Sequence, residues 1–200
     1  MNIDEDILEE IARQGLGHIV ALERCPNCNY IATSDEELAR RDSPCPNCAI
    51  TGLAAGLGPS NYLDVANWIG EYAASNNRRD QSSAVILFCS FVEAMLETLK
   101  DDYLKLHPMS PTTKGRKRIE FKDVFGVTFR DALSDAPTRL KDFPSAWEDL
   151  RDKRNKFLHG GSSYVIHRSD ARKAVTVTAD AVNSYRWLNN KHCLSCSPAA

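Results

Sequence analysis

The chain lacks any uninterrupted apolar run long enough to cross a bilayer. The longest, Ala84 to Cys89, is six residues, against the roughly 20 that a spanning helix needs. No secretion signal is expected, because Met1-Asn2-Ile3-Asp4-Glu5-Asp6 is acidic and polar where such a leader is positive and then apolar. A cytoplasmic, reducing location without a membrane partner is the expectation. Low-complexity tracts are missing, as are internal repeats apart from one doubled tetrapeptide, so solenoids and biased linkers drop out. Strong net charge is missing too. The balance is −2, in a composition 42% hydrophobic and 26% charged that is ordinary for a globular protein. Two hundred residues allow one compact domain and a small appendage.

The near-neutral total hides an asymmetry. Residues 1–56 hold ten acids and four bases, whereas residues 57–200 hold 17 acids and 21 bases. The basic excess suits an anionic partner for the second part, although a solvated face also accounts for an excess of this size.

Six of the seven cysteines fall in three Cys-x-x-Cys pairs, a spacing that points to metal or redox chemistry in a chain without a secretion signal. Cys25-Pro26-Asn27-Cys28 and Cys45-Pro46-Asn47-Cys48 are identical and stand sixteen residues apart. Proline presets one dihedral and asparagine tolerates the tight geometry, so each tetrapeptide is a turn that aims two thiolates at one point. Cys25, Cys28, Cys45 and Cys48 therefore read as a structural four-cysteine zinc site; iron in a rubredoxin-like site is the alternative. Four thiolates leave no open position for catalysis, and a segment of this size folds only with its metal. Its acidity argues against a nucleic-acid reader and against a zinc-ribbon transcription factor. Cys193 and Cys196 follow His192 in a Ser/Pro/Ala-rich terminus and read as part of a disordered tail. A metal shared between two chains, or completed by His18 or Cys89, is the other reading of that pair. Cys89, beside an apolar stripe, reads as an inert core residue.

Most of the remainder has helical periodicity. A short helix spans residues 3–14, His18 to Leu22 is extended, and Ser34 to Glu37 is a capping box. Residues 52–59, rich in Gly and Ala, read as a linker. One helix runs from Asn61 to Ser75 with Leu63, Ala66, Ile69 and Tyr72 or Ala73 inward. The longest runs from Ser82 to His107, with Phe88, Phe91, Val92, Met95, Leu99 and Tyr103 on one stripe. The Pro- and Gly-containing stretch up to Arg118 is a loop carrying Lys114-Gly115-Arg116-Lys117-Arg118. Phe121 to Leu133 predicts a third helix. Pro144 to His159 predicts a fourth, with proline in its first turn. Tyr164 to Ile166 is extended, and Ser169 caps a last helix facing inward through Ala171, Ala174, Val175, Thr178, Val182, Tyr185 and Leu188. Trp147 and Trp187 fit core packing better than base stacking.

The fourth helix ends in Arg154-Asn155-Lys156-Phe157-Leu158-His159-Gly160. Arg-x4-His alone arises by chance about 0.4 times in a chain of this composition, but requiring Asn after Arg and Gly after His lowers that to about one in a thousand. Phe143, Trp147, Leu150, Phe157 and Leu158 form one stripe, and Arg154 falls in its middle. A guanidinium does not sit there unless a carboxylate or another protein surface meets it. His159 projects roughly 140° away, so the pair does not share a face. Completion of the site by a second copy of the chain is the favoured reading.

Arg154-Asn155-x3-His159-Gly160 resembles the Arg-x4–6-His signature of the HEPN superfamily, the higher eukaryotes and prokaryotes nucleotide-binding domains. Phe88 to Leu96 is similar to that family's first core helix, with Glu93 where an acidic residue often stands. The resemblance covers roughly residues 60–190. It implies an up-and-down helical bundle that dimerises with both motifs facing one cleft, and a metal-independent endoribonuclease of a toxin–antitoxin or phage-defence system. Imidazole gives and takes protons near neutral pH, and a guanidinium forks two phosphate oxygens. His159 and Arg154 are thus the catalytic candidates for 2′-hydroxyl attack on RNA. Asn155 would orient His159 or the phosphate, and Glu93 would hold Arg154. Without the resemblance, Arg154 reads as an ion pair with Glu93 or Asp149, and His159 as a helix-terminal cap. The implied partners are RNA, a second copy of the chain and a cognate antitoxin or defence protein. Residues 1–56 form the zinc-ribbon-like element, 57–192 the HEPN-like bundle and 193–200 the tail. The alternative function is a non-catalytic binding or dimerisation module.

Overall fold

Apolar residues recur every three or four positions over most of residues 60–192, and the chain there is mainly helical. The computed structural model describes residues 23–32, 44–50, 55–56, 60–108, 120–160 and 164–195. Two strands, β1 (Glu23–Arg24) and β2 (Ala55–Gly56), pair antiparallel with Glu23 opposite Gly56. Among the described residues six helices follow: α1 (Ser60–Ala74), α2 (Arg78–Leu106), α3 (Phe121–Phe125), α4 (Phe129–Ala132), α5 (Thr138–His159) and α6 (Arg168–His192). The helix predicted over residues 3–14, the extended segment from His18, the capping box at Ser34 and the basic loop at Lys114 lie outside the described residues.

Helix α2 is the hub and packs on α1, α3, α5 and α6. Its start is capped by Asn77, whose side chain accepts from the Arg79 N–H at 3.0 Å, and so it begins four residues before Ser82. Phe88, Phe91, Val92, Met95 and Leu99 are buried, each worth about 1.5–3 kcal/mol against exposure. By length and composition α2 is apolar enough to cross a membrane, but half of its most apolar window is buried against the other helices. Helix α6 lies among α1, α2 and α5 and buries Ala171, Ala174, Val175, Thr178, Val182, Tyr185 and Leu188. Its cap is His167 rather than Ser169, because the Asp170 carboxylate accepts from the His167 backbone N–H at 3.0 Å. In α1, Ala66, Ile69 and Ala73 point inward, while Tyr72 is exposed.

Three boundaries differ from the periodicity. Phe121 to Leu133 is not one helix: Gly126 takes a left-handed conformation, φ 73°, that ends α3, and Thr128 caps α4 through the Asp131 N–H. Helix α5 starts at Thr138 after Pro137, so Pro144 lies inside the helix rather than in its first turn. Its core stripe is shifted upstream, gaining Leu140 and running through Phe143 and Trp147 to end at Leu150. Leu158, placed on that stripe by spacing, is 51% exposed. Finally, Ala55–Gly56, within the predicted linker, is the strand that pairs with β1.

Candidate metal centre and Arg-His site

Each Cys-Pro-Asn-Cys tetrapeptide builds the same turn. The Asn29 N–H bonds the Cys25 carbonyl at 2.9 Å and the Cys25 N–H bonds the Tyr30 carbonyl at 2.8 Å. The second copy repeats both bonds, Ala49 to Cys45 at 2.8 Å and Cys45 to Ile50 at 3.0 Å. The residue after each second cysteine is left-handed, φ 63° at Asn29 and 57° at Ala49. Asparagine accepts that conformation; alanine is strained there by about 1–2 kcal/mol.

The two turns bring the four sulfurs within 4.8 Å of one another, with Cys25 to Cys48 at 3.8 Å and Cys28 to Cys45 at 3.6 Å. A tetrahedral ion with 2.3 Å bonds spaces its sulfurs about 3.8 Å apart, whereas a disulfide needs about 2.05 Å. The donor set fits a metal. Side-chain bonds cross between the turns, from Asn47 to the Cys28 sulfur and from Asn27 to that of Cys48. Burial raises the Cys28 thiol despite Asn47 and Tyr30. At Cys48 burial is the largest single effect and raises the thiol, but the Ile50 N–H, Asn27 and the thiols of Cys28 and Cys25 together outweigh it and hold the thiol at about 6.

This element is anchored in the helical body. Asn190 of α6 grips Ile31 twice, accepting from its N–H and donating to its carbonyl, both at 2.8 Å. Asn189 donates to the Asn29 carbonyl at 2.7 Å. Arg24 reaches Asp102 of α2 and the Tyr185 hydroxyl of α6, each at 2.7 Å, and Ile31 is part of the main core. Residues 193–195 are not a disordered tail. Cys193 is fully buried with its sulfur 3.8 Å from the Leu99 carbonyl, and Ser195 bonds the carbonyls of Cys28 at 3.1 Å and Asn27 at 2.8 Å. Burial pushes the Cys193 thiol up to about 12, the state of a core residue rather than a ligand. Cys196 lies outside the described residues. Among the described residues, the four cysteines are the only group of three or more His, Cys, Asp or Glu with converging ligand atoms.

The second site spans α2 and α5. Glu93 on α2 receives Arg154 in a fork, with NH1 at 3.2 Å and NH2 at 2.8 Å, and the Arg154 Nε–H bonds the Asn155 amide oxygen at 3.1 Å. The Arg154 side chain is 15% exposed. A carboxylate of the same chain therefore meets the guanidinium, and its place on the apolar stripe needs no second copy. Asp149 instead accepts from Lys173 of α6 at 2.8 Å and from Lys153 at 3.1 Å, while Lys153 also reaches Asp170 at 2.6 Å. Only the Asp149–Lys153 spacing is visible as an i,i+4 pattern; the bonds between helices carry no local signal.

His159 stands apart. It is exposed at the last turn of α5, and no hydrogen bond joins it to Arg154 or Glu93 among the described residues. Gly160 follows, its N–H on the Lys156 carbonyl at 2.7 Å, and a Cβ there would collide with that carbonyl. Cys89, one turn before Glu93, is buried, and burial raises its thiol to about 12. Glu93, Arg154 and Asn155 thus form one cluster, and His159 lies outside it.

Comparison with protein-family models, with curated proteins and with solved structures finds no match for this chain. What the two sites do has to be read from their chemistry.

Proposed function

We propose that the protein is a metal-independent endoribonuclease of HEPN type, working as a homodimer with a structural zinc at Cys25, Cys28, Cys45 and Cys48. One observation carries this reading: Arg154 is fixed by Glu93 and Asn155, yet keeps donors to spare. A guanidinium has five N–H groups, and three are engaged, which leaves two for phosphate oxygens. The carboxylate acts as a positioning residue that holds the fork in one orientation.

In this reading, two copies of the up-and-down bundle face each other across one cleft and supply two His159 imidazoles. One takes the proton of the RNA 2′-hydroxyl as its oxygen attacks phosphorus. The bond to the 5′-oxygen breaks, the other imidazole protonates that leaving oxygen, and Arg154 stabilises the charge on the phosphoryl oxygens. The products are a 2′,3′-cyclic phosphate and a 5′-hydroxyl. The exposed position of His159 at a helix end supports delivery of the base to a shared cleft. Such an effector acts in the cytoplasm and is restrained by an antitoxin or defence-system partner.

The test compares wild type with Arg154→Ala and His159→Ala for RNA cleavage and growth toxicity. Each change is expected to lower cleavage by about 10²-fold or more, and brief EDTA treatment to leave it intact. Cleavage that survives both substitutions overturns the reading. The bidentate Glu93–Arg154 pair favours one other reading, a non-catalytic docking module in which it only locks α2 to α5. In that case both variants bind their partner as wild type does.

A further inference from the structure

A cavity of about 600 Å³ opens between α2, α3, α4 and α5. That is the size range of small-molecule and nucleotide sites. Glu93 is part of its wall, so the cavity adjoins the Arg154 fork. Phe121, Phe129 and Trp147 supply flat aromatic surface, packed edge to face at 5.6 Å for both Phe121–Phe129 and Phe129–Trp147. Arg151, one turn before Arg154, lays its guanidinium 4.7 Å from the Trp147 ring centre and is itself exposed. The Trp147 indole N–H is buried and has no hydrogen-bond partner among the described residues. Lys100, with only 8% of its side chain exposed, sits with its ammonium 2.7 Å from the Glu97 carboxylate, and both line the cavity.

Planar walls, a stackable guanidinium and a donor beside an acceptor are the elements of base recognition in single-stranded RNA. We infer that this cavity takes one nucleobase of the RNA strand held at Arg154, with guanine preferred. The inference rests on the ribonuclease reading for its choice of ligand. Guanine is the base whose edge offers two adjacent N–H groups, N1 and N2, to one carboxylate, beside a carbonyl oxygen that an ammonium can reach. Glu97 accepts the two N–H groups and Lys100 donates to O6. Adenine and the pyrimidines offer the carboxylate one such group at most beside an acceptor. Lys100 is buried while the Glu97 carboxylate is half-exposed at the cavity wall, so the pair presents one donor beside one acceptor, and guanine is the base that engages both along one edge.

The test uses the full-length protein and two ligands, guanosine monophosphate and inosine monophosphate, which lacks the N2 amine. Titration is expected to show guanosine monophosphate binding roughly ten-fold tighter. Glu97→Gln, whose fold is checked by thermal melting, is expected to remove that preference. Cleavage mapping on RNA is expected to place guanine at one fixed offset from the cut bond. Equal binding of the two nucleotides, or a preference that survives Glu97→Gln, overturns the inference. Cleavage of RNA without regard to guanine sinks the cavity and spares the ribonuclease reading. Discriminating binding in a protein that cuts no RNA does the reverse.

Discussion

Within one chain the four cysteines find all the ligand atoms a tetrahedral ion needs, whereas the Arg154–His159 segment finds only some of its partners. The sulfurs converge within 4.8 Å because two tight turns aim them at one point. Arg154 and Glu93 also meet, but His159, five positions further along the helix, is carried round and out into solvent. A turn gathers residues close in sequence; a helix spreads them at 100° steps. The difference teaches that local chemistry completes the metal centre, while the catalytic reading depends on a second surface. The first cysteine turn is also joined to the helical body, because Asn189 and Asn190 of α6 and Ser195 just beyond it bond Asn27, Asn29 and Ile31.

Metal removal is the strongest way to break the comparison. Structural zinc carries on the order of 10 kcal/mol of folding free energy in small sites. Prolonged chelation is expected to unfold the turns and to strip amide protection from residues 189–195, lowering the melting temperature of the whole body. A bundle that melts unchanged after the metal is gone would show two independent units and defeat the coupling. This slow loss is separable from the brief EDTA treatment, which leaves cleavage intact.

A smaller effect sharpens the inequality between the two turns. Ala49 holds φ 57° at a cost that glycine avoids, so Ala49→Gly is expected to stabilise the protein by about 1 kcal/mol. Asn29→Gly should change stability by only a few tenths of a kcal/mol, because asparagine already tolerates the left-handed region. Denaturant titration of the metal-loaded variants decides between them; equal shifts at both positions would remove the argument from strain.

The weakest expected effect concerns the clasp between α5 and α6. The bond from Lys173 holds the Asp149 carboxyl below the ordinary carboxylate range, with burial opposing and Lys153 adding to it. Asp170 holds the Lys153 ammonium above its ordinary value, again against burial and with help from Asp149. The Asp149 contribution is therefore present above about pH 4 and lost as pH falls through its lowered value. The Lys153 contribution is present below about pH 10 and lost as pH rises through its raised value. Lys173→Ala is expected to cost a fraction of a kcal/mol between about pH 5 and 9, because the pair is solvent-screened. That cost should vanish in acid. A melting difference that persists unchanged to pH 2 contradicts this account.

Much of the fold was legible in the chain. The stripe Phe88 to Leu99 and the inward set Ala171 to Leu188 were visible as periodicity, because a core-facing helix needs a continuous apolar face. Boundaries were less so. Asn77 caps α2 where Ser82 was the local signal, and Leu140 and Phe143 carry α5 two turns upstream of the proline that looked like its start. Of the candidate site, Glu93 was one of two carboxylates expected to meet Arg154; the choice between them and the forked geometry were not legible, since 61 positions separate Glu93 from Arg154. The burial of Cys193 left no trace in a terminus rich in Ser, Pro and Ala.

The chain by itself determined its helical class, its four-thiol cluster and the order Arg-Asn-x3-His-Gly, because each is written in spacings shorter than one helix or one turn. Tertiary structure alone decided that Glu93 rather than Asp149 meets Arg154, that Asn190 clasps Ile31 and that an aromatic cavity opens beside the fork. Those depend on which faces of distant helices meet, and packing sets that only when the whole core is assembled.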